Sequence, residues 1–197
     1  MNFGEELAYW YLRLNGFFPL TNFVYHKSDS AKFSGDCDVL AYRPAGAWEE
    51  IGGQEVDWDP RLRALIEFER PAVVICEVKT GALDPRWLFL PDRLTYAYRR
   101  AGLLEPGEPE MTGWTKTASF DHGSCTSYNL LIAREAREST RWHTIRIADC
   151  VSFLRDRFAK YPEKFRDRIY FQSALIQFLA FESELKRTSE QKPQSPS

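Results

Sequence analysis

The chain is short of histidine, has no paired cysteines, no basic excess and no long apolar run, and each shortage removes a class of function. Its three histidines, His26, His122 and His143, share no motif. A histidine without partners is more often structural or exposed than catalytic, so none is assigned a role. The four cysteines, Cys37, Cys76, Cys125 and Cys150, form no CxxC pair and no Cys/His cluster of zinc spacing. Four free thiols in a reducing compartment are the expectation. No apolar stretch approaches the ~20 residues that span a bilayer. The acidic start MNFGEELAYW lacks the basic, apolar, small-residue order of a secretory signal. A cytoplasmic protein without a membrane partner is expected. The formal net charge of −2 gives no overall attraction to a polyanion, so a nucleic-acid partner would need a local basic patch.

What is present is a chain of 197 residues, 44% hydrophobic and 15% aromatic, the size and composition of one globular domain with additions. Residues 4–15 carry Leu7, Ala8, Tyr11 and Leu12 at helical spacing before Gly16. FFPLTNFVYHK then reads as a strand, SDSAKFSG as a polar loop, and DCDVLAYRP as a second strand closed by Pro44. Residues 45–70 hold seven acids against three arginines, a net of −4, and read as a surface excursion with a short helix at RLRALIEF. A third strand, AVVICEVK, ends near Gly81, and a second helix follows with Leu94, Ala97, Tyr98 and Ala101 on one face. Residues 105–127 read as a long loop. YNLLIAR and WHTIRI read as two more strands, and C-terminal helices are expected over 149–187, the later one opening near Pro162, with a disordered tail at 188–197. The apolar segment 169–181 is expected in the core, with a homodimer interface left open.

The order predicts an α/β domain over 1–187 with a core at 4–150. Its mixed central sheet, antiparallel early and parallel after the crossover helix, would be flanked by helices.

The charges in the third strand need explaining, because an unpaired buried charge costs several kcal/mol, roughly. Residues two apart on a strand share a face, so Glu77 and Lys79 stand together while Cys76 and Val78 face the core. Asp38 sits among apolar neighbours on the preceding strand in the same way, with Asp36 a competing candidate one strand period earlier. If these strands pair, two carboxylates and an ammonium converge. Mg²⁺, held by one or two carboxylates and several waters, would relieve the carboxylate repulsion. An ammonium there could hold a water and balance charge on a phosphate.

GDCDVLAYRP followed by VVICEVKTG resembles the PD-(D/E)xK nuclease motif of the restriction endonuclease-like fold, and GEELAYWYLRLNGF resembles the first helix of Holliday junction resolvases and related small nucleases. The resemblance covers residues 4–101 and, more loosely, the strands to 147. It implies an α-β-β-β-α-β-β core and hydrolysis of phosphodiester bonds, usually in DNA, dependent on Mg²⁺ or Mn²⁺. It makes Asp38 and Glu77 the metal carboxylates, the backbone carbonyl of Val78 a further ligand, and Lys79 the residue that positions and activates water. Glu5 matches the additional acid, acting through a metal-bound water or a second ion, with Glu6 the fallback. The chain departs from the pattern in having no proline before Asp38 and a long acidic excursion.

Plainer readings stand beside these. Glu77 and Lys79 could form an ordinary surface ion pair, and Glu5 could serve only the positive end of its helix. Arg99 and Arg100 could contact phosphates or merely complement a helix C-terminus. A non-catalytic nucleic-acid-binding or assembly module that keeps the nuclease fold is the alternative function.

Overall fold

The computed structural model describes residues 2–27, 30–105, 116–165 and 172–190. The first helix, α1 (Phe3–Arg13), starts where it does because Asn2 caps it. The Asn2 side chain accepts the backbone N–H groups of Gly4 and Glu5, and Glu5 accepts the Asn2 N–H in return. Its apolar stripe of Leu7, Ala8, Tyr11 and Leu12 is fully buried, and Gly16, at φ +84°, turns the chain into the sheet.

β1 (Phe18–Lys27), β2 (Ser30–Arg43) and β3 (Ala72–Lys79) form an antiparallel meander. The chain then crosses over through α3 (Pro91–Arg100) to β5 (Thr126–Ala133), which pairs parallel to β3. On the far side of β5 lie β4 (Ser119–Asp121), antiparallel, and β6 (His143–Arg146), parallel. The result is a mixed, open six-stranded sheet.

α1, α4 (Ile147–Lys160) and α5 (Ala174–Glu190) contribute to the core on one face, with Val39, Val74, Cys76, Leu130 and Ile132. α3 covers the other, with Ile75, Leu131, Leu94, Ala97 and Tyr98. β5 is buried along its whole length, which explains its unbroken apolar run. All four cysteines are free and buried. Among the described residues no helix is long and apolar enough to cross a membrane.

Several boundaries differ from expectation. The polar segment read as a loop is strand from Ser30 onward, because β1 offers it a backbone ladder that composition does not reveal. The long loop at 105–127 contains β4, while 106–115 lie outside the described residues. Residues 162–165 form turns where a helix was expected to begin, and 166–171 lie outside the described residues. α5 runs to Glu190, so the start of the expected tail is helical, and 191–197 are not described. In the apolar segment, Ile176, Leu179 and Ala180 are buried, but Phe178 and Phe181 are exposed.

The acidic excursion is more than surface. It carries a short α2 (Pro60–Arg63) and sends Trp58, Leu62, Ile66 and Phe68 into the main core. Its acids Asp57 and Asp59 are buried. Asp57 accepts Lys160 Nζ at 2.7 Å and the Tyr161 hydroxyl at 2.6 Å, and Asp59 accepts the Tyr11 hydroxyl at 2.9 Å. Buried Arg43 donates to the carbonyls of Asn15 and Phe68 and lies over the Phe68 ring.

Candidate functional site

Asp38, Glu77 and Lys79 meet where β2 and β3 part. The ladder between those strands ends at Val39 and Cys76. One step further, the Val78 N–H donates to Asp38 Oδ2 at 2.6 Å. In a continued antiparallel ladder Val78 would face Cys37, so the Asp38 carboxylate replaces a backbone acceptor. The N–H and C=O of one strand residue face the same neighbour, which turns the Val78 carbonyl toward the same opening.

Lys79 Nζ lies 2.8 Å from Glu77 Oε2 and 3.3 Å from Asp38 Oδ2. The ammonium thus bridges both carboxylates. Their side chains are only 21% (Asp38) and 18% (Glu77) exposed, so the pair is largely desolvated but reachable from solvent. Burial raises the Glu77 carboxyl above its ordinary value, despite the opposing charge and hydrogen bond of Lys79. Burial pulls Lys79 down, but the charges of Glu77 and Asp38 outweigh it and hold the ammonium above its ordinary value. The neighbouring Cys37 thiol is pushed up to about 12, first by burial and then by Glu77 and Asp38. Burial and the two acids both disfavour its thiolate, the form in which a cysteine acts as a nucleophile.

Strand irregularity shapes the place. Asn22, at φ +55°, is left-handed, and it and Asp38 drop out of the β1–β2 ladder between the pairs Thr21–Val39 and Phe23–Cys37, the register being the same on either side. Phe23 and Cys37 consequently pack with the α3-side core, while Val39 packs on the α1 side. Asparagine tolerates this conformation better than most residues, and such outliers cluster at functional sites.

α1 reaches the site through Gly4. A Cβ there would stand 2.7 Å from Thr80 Cγ2 and 2.9 Å from Val78 Cγ1, so only glycine lets the helix start dock on the end of β3. This close approach brings Glu5 to the same end of the sheet, but its carboxylate is turned back onto the Asn2 cap. Glu6 is half-buried on the same turn. Asp36 is exposed, and the Lys79 ion pairs are with Asp38 and Glu77.

Arg99 and Arg100 lie at the end of α3, with Arg100 over the Phe23 ring at 4.7 Å. The cations that act most on Glu77 are Lys79 and Arg93. Sequence reasoning missed Arg93. Its signal was a cation in the first turn of a helix, where the dipole disfavours positive charge.

Among the described residues no group of three or more His, Cys, Asp and Glu side chains is arranged as a metal cage. The donor set at Asp38 and Glu77 is two hard carboxylates and a backbone carbonyl. That suits an ion that keeps several of its waters, as Mg²⁺ does, better than a fully protein-enclosed one. No family model, curated protein or solved structure matches this chain.

Proposed function

We propose that the chain is a metal-dependent nuclease of the PD-(D/E)xK type, hydrolysing phosphodiester bonds in nucleic acid, DNA before RNA. One observation carries the reading: Asp38 on β2 and Glu77 on β3 share the Lys79 ammonium within 3.3 Å at the open end of a strand pair. Two carboxylates and a lysine are a costly combination to desolvate without a use.

Asp38, Glu77 and the Val78 carbonyl would hold Mg²⁺ or Mn²⁺, with Glu5 acting from α1 through a water or a second ion. The bound ion supplies a Lewis acid that lowers the pKa of water and balances charge on phosphoryl oxygens. Lys79 orients the attacking water and stabilises the charge that gathers on the phosphate as the bond to the leaving oxygen breaks. Asp38 is held for this task by the Val78 N–H, which costs nothing to reorganise during the reaction.

A second reading, a non-catalytic nucleic-acid-binding module, has its own support in the same ion pair. Lys79 is already paired with both acids, and fold does not fix activity. Incubation of wild type, Asp38→Ala and Lys79→Ala with supercoiled plasmid, linear duplex, single strand and a four-way junction separates the two. The nuclease reading expects cleavage by wild type alone, requiring Mg²⁺ or Mn²⁺ and stopped by EDTA. A folded wild type that cuts no substrate and binds no Mg²⁺ by calorimetry would leave the module.

A further inference from the structure

β3 and β5 run parallel, and Lys79 at the end of one is level with Ala133 at the end of the other. The carboxyl ends of parallel strands joined by a helical crossover are a preferred place for ligands. Here they open onto a cleft of about 380 Å³, lined by Lys79, Gly81 and Leu83 on one side and Arg134, Glu135 and Arg137 on the other. Lys79 is paired with Asp38 and Glu77, so the positive charge this lining offers a ligand is that of Arg134 and Arg137 against Glu135, a net of +1.

The two walls are fastened together. Arg141 Nη2 donates to the carbonyl of Pro85 at 3.2 Å, joining the loop after β5 to the loop after β3. The Thr144 hydroxyl holds the carbonyl of Arg137 at 2.9 Å, and the Arg141 N–H reaches Ser139 Oγ at 3.1 Å. One hydrogen bond thus ties the two walls, and two more brace the wall that carries Arg137.

Arg134 and Arg137 are exposed. Among the described residues neither guanidinium is held in an ion pair, whereas Arg86, Arg146 and Arg155 each engage a carboxylate. Two ungrasped guanidinium forks beside a lysine suit phosphate oxygens, which arginine can bind bidentately.

We infer that this cleft is a phosphate-backbone site, in which Arg134 and Arg137 hold the nucleic-acid strand next to the phosphate that faces Lys79. The inference rests on the reading of Asp38, Glu77 and Lys79 as a phosphodiester site, and it assigns the strand a path: off the sheet end, over Lys79 and between the two loops. Glu135 opposes the strand and weakens it.

The test measures binding of a labelled duplex by the full chain in EDTA, so that no substrate is cut, over a range of salt. Arg134→Gln/Arg137→Gln should bind about ten-fold more weakly, with the slope of log K against log salt reduced by about 2. Glu135→Gln should bind about two- to three-fold more tightly, a gain that misfolding cannot mimic. Arg155→Gln, a cation on α4 paired with Glu182, should bind as wild type does. Inorganic phosphate at matched ionic strength should not displace the duplex, since the site takes a polymer.

Unchanged affinity and slope in the double variant, no tightening by Glu135→Gln, displacement by inorganic phosphate, or no duplex binding by wild type would each overturn the site. The catalytic reading is judged separately, by cleavage with Mg²⁺. Cleavage with an unaltered double variant sinks the cleft and spares the nuclease, whereas the expected binding changes without any cleavage spare the cleft and sink the nuclease.

Discussion

The Val78 N–H and the Asp38 carboxylate are joined at 2.6 Å across a gap where the β2–β3 backbone ladder has already ended. Asp38 is therefore both a structural acceptor and one of the two acids beside Lys79, and substitutions can separate those roles. Asp38→Asn keeps an acceptor for Val78 and should stay within about 1 kcal/mol of wild-type stability. Asp38→Ala strands the N–H and should lose about 1–3 kcal/mol. Both should lose Mg²⁺ binding and cleavage. Urea unfolding and calorimetry check the pair, and equal stability of the two variants would contradict the assigned hydrogen bond.

Glu5 has a comparable double reading. Its carboxylate closes the capping box with Asn2, a contact that glutamine can also make. Glu5→Gln should retain the wild-type melting temperature, while Glu5→Ala should be about 1 kcal/mol less stable. A fall in cleavage by Glu5→Gln at unchanged stability is expected if the acid serves the reaction. Activity equal to wild type would restrict Glu5 to its cap.

Gly4 and Gly81 flank the site but differ in what they permit. A methyl group at Gly4 collides with Thr80 and Val78, whereas nothing lies within 4 Å of one at Gly81. Gly4→Ala should therefore cost about 1–3 kcal/mol and shift α1 away from β3. Gly81→Ala should change stability by less than about 0.5 kcal/mol. Thermal unfolding of the two single variants is sufficient, and a reversed order would reject the packing described.

Asp57 gives a pH signature unrelated to catalysis. Burial alone would raise its carboxyl, but hydrogen bonds from Lys160 and Tyr161 outweigh burial and hold it below its ordinary value of 3.8. A depressed carboxylate contributes stability above its unfolded value, and that contribution is lost as pH falls through the folded value. Lys160→Met should be less stable than wild type at neutral pH, and the difference should shrink on acidification below the ordinary aspartate range. Urea midpoints across pH report it. A difference that is constant with pH would mean that Lys160 acts only by packing.

The convergence of Asp38, Glu77 and Lys79 was legible because strand alternation and the order of two adjacent strands are local properties of the sequence. The sheet's mixed character followed from the helical crossover after β3. Strand residues 30–35 were not legible, since polar side chains say nothing of a backbone ladder supplied by β1. The depth of the acidic excursion was partly legible: Trp58, Leu62 and Ile66 repeat every four residues, but the acids between them obscured the stripe. Arg99 and Arg100 drew notice as adjacent cations. Arg93, in an unfavourable place on the same helix, is the cation after Lys79 that acts most on Glu77.

The same excursion leaves the sheet at Arg43 and re-enters it at Ala72, the opposite end of β3 from Lys79. Eight residues of strand separate these ends by about 23 Å. One end carries the acids of residues 45–70, of which Asp57 and Glu49 are paired with Lys160 and Lys164, and the other carries Lys79, Arg134 and Arg137 beside Asp38, Glu77 and Glu135. The excursion and the cluster of Asp38, Glu77 and Lys79 thus occupy opposite ends of the same strand. At about 23 Å, more than two Debye lengths at physiological salt, charge on the excursion is largely screened from Lys79.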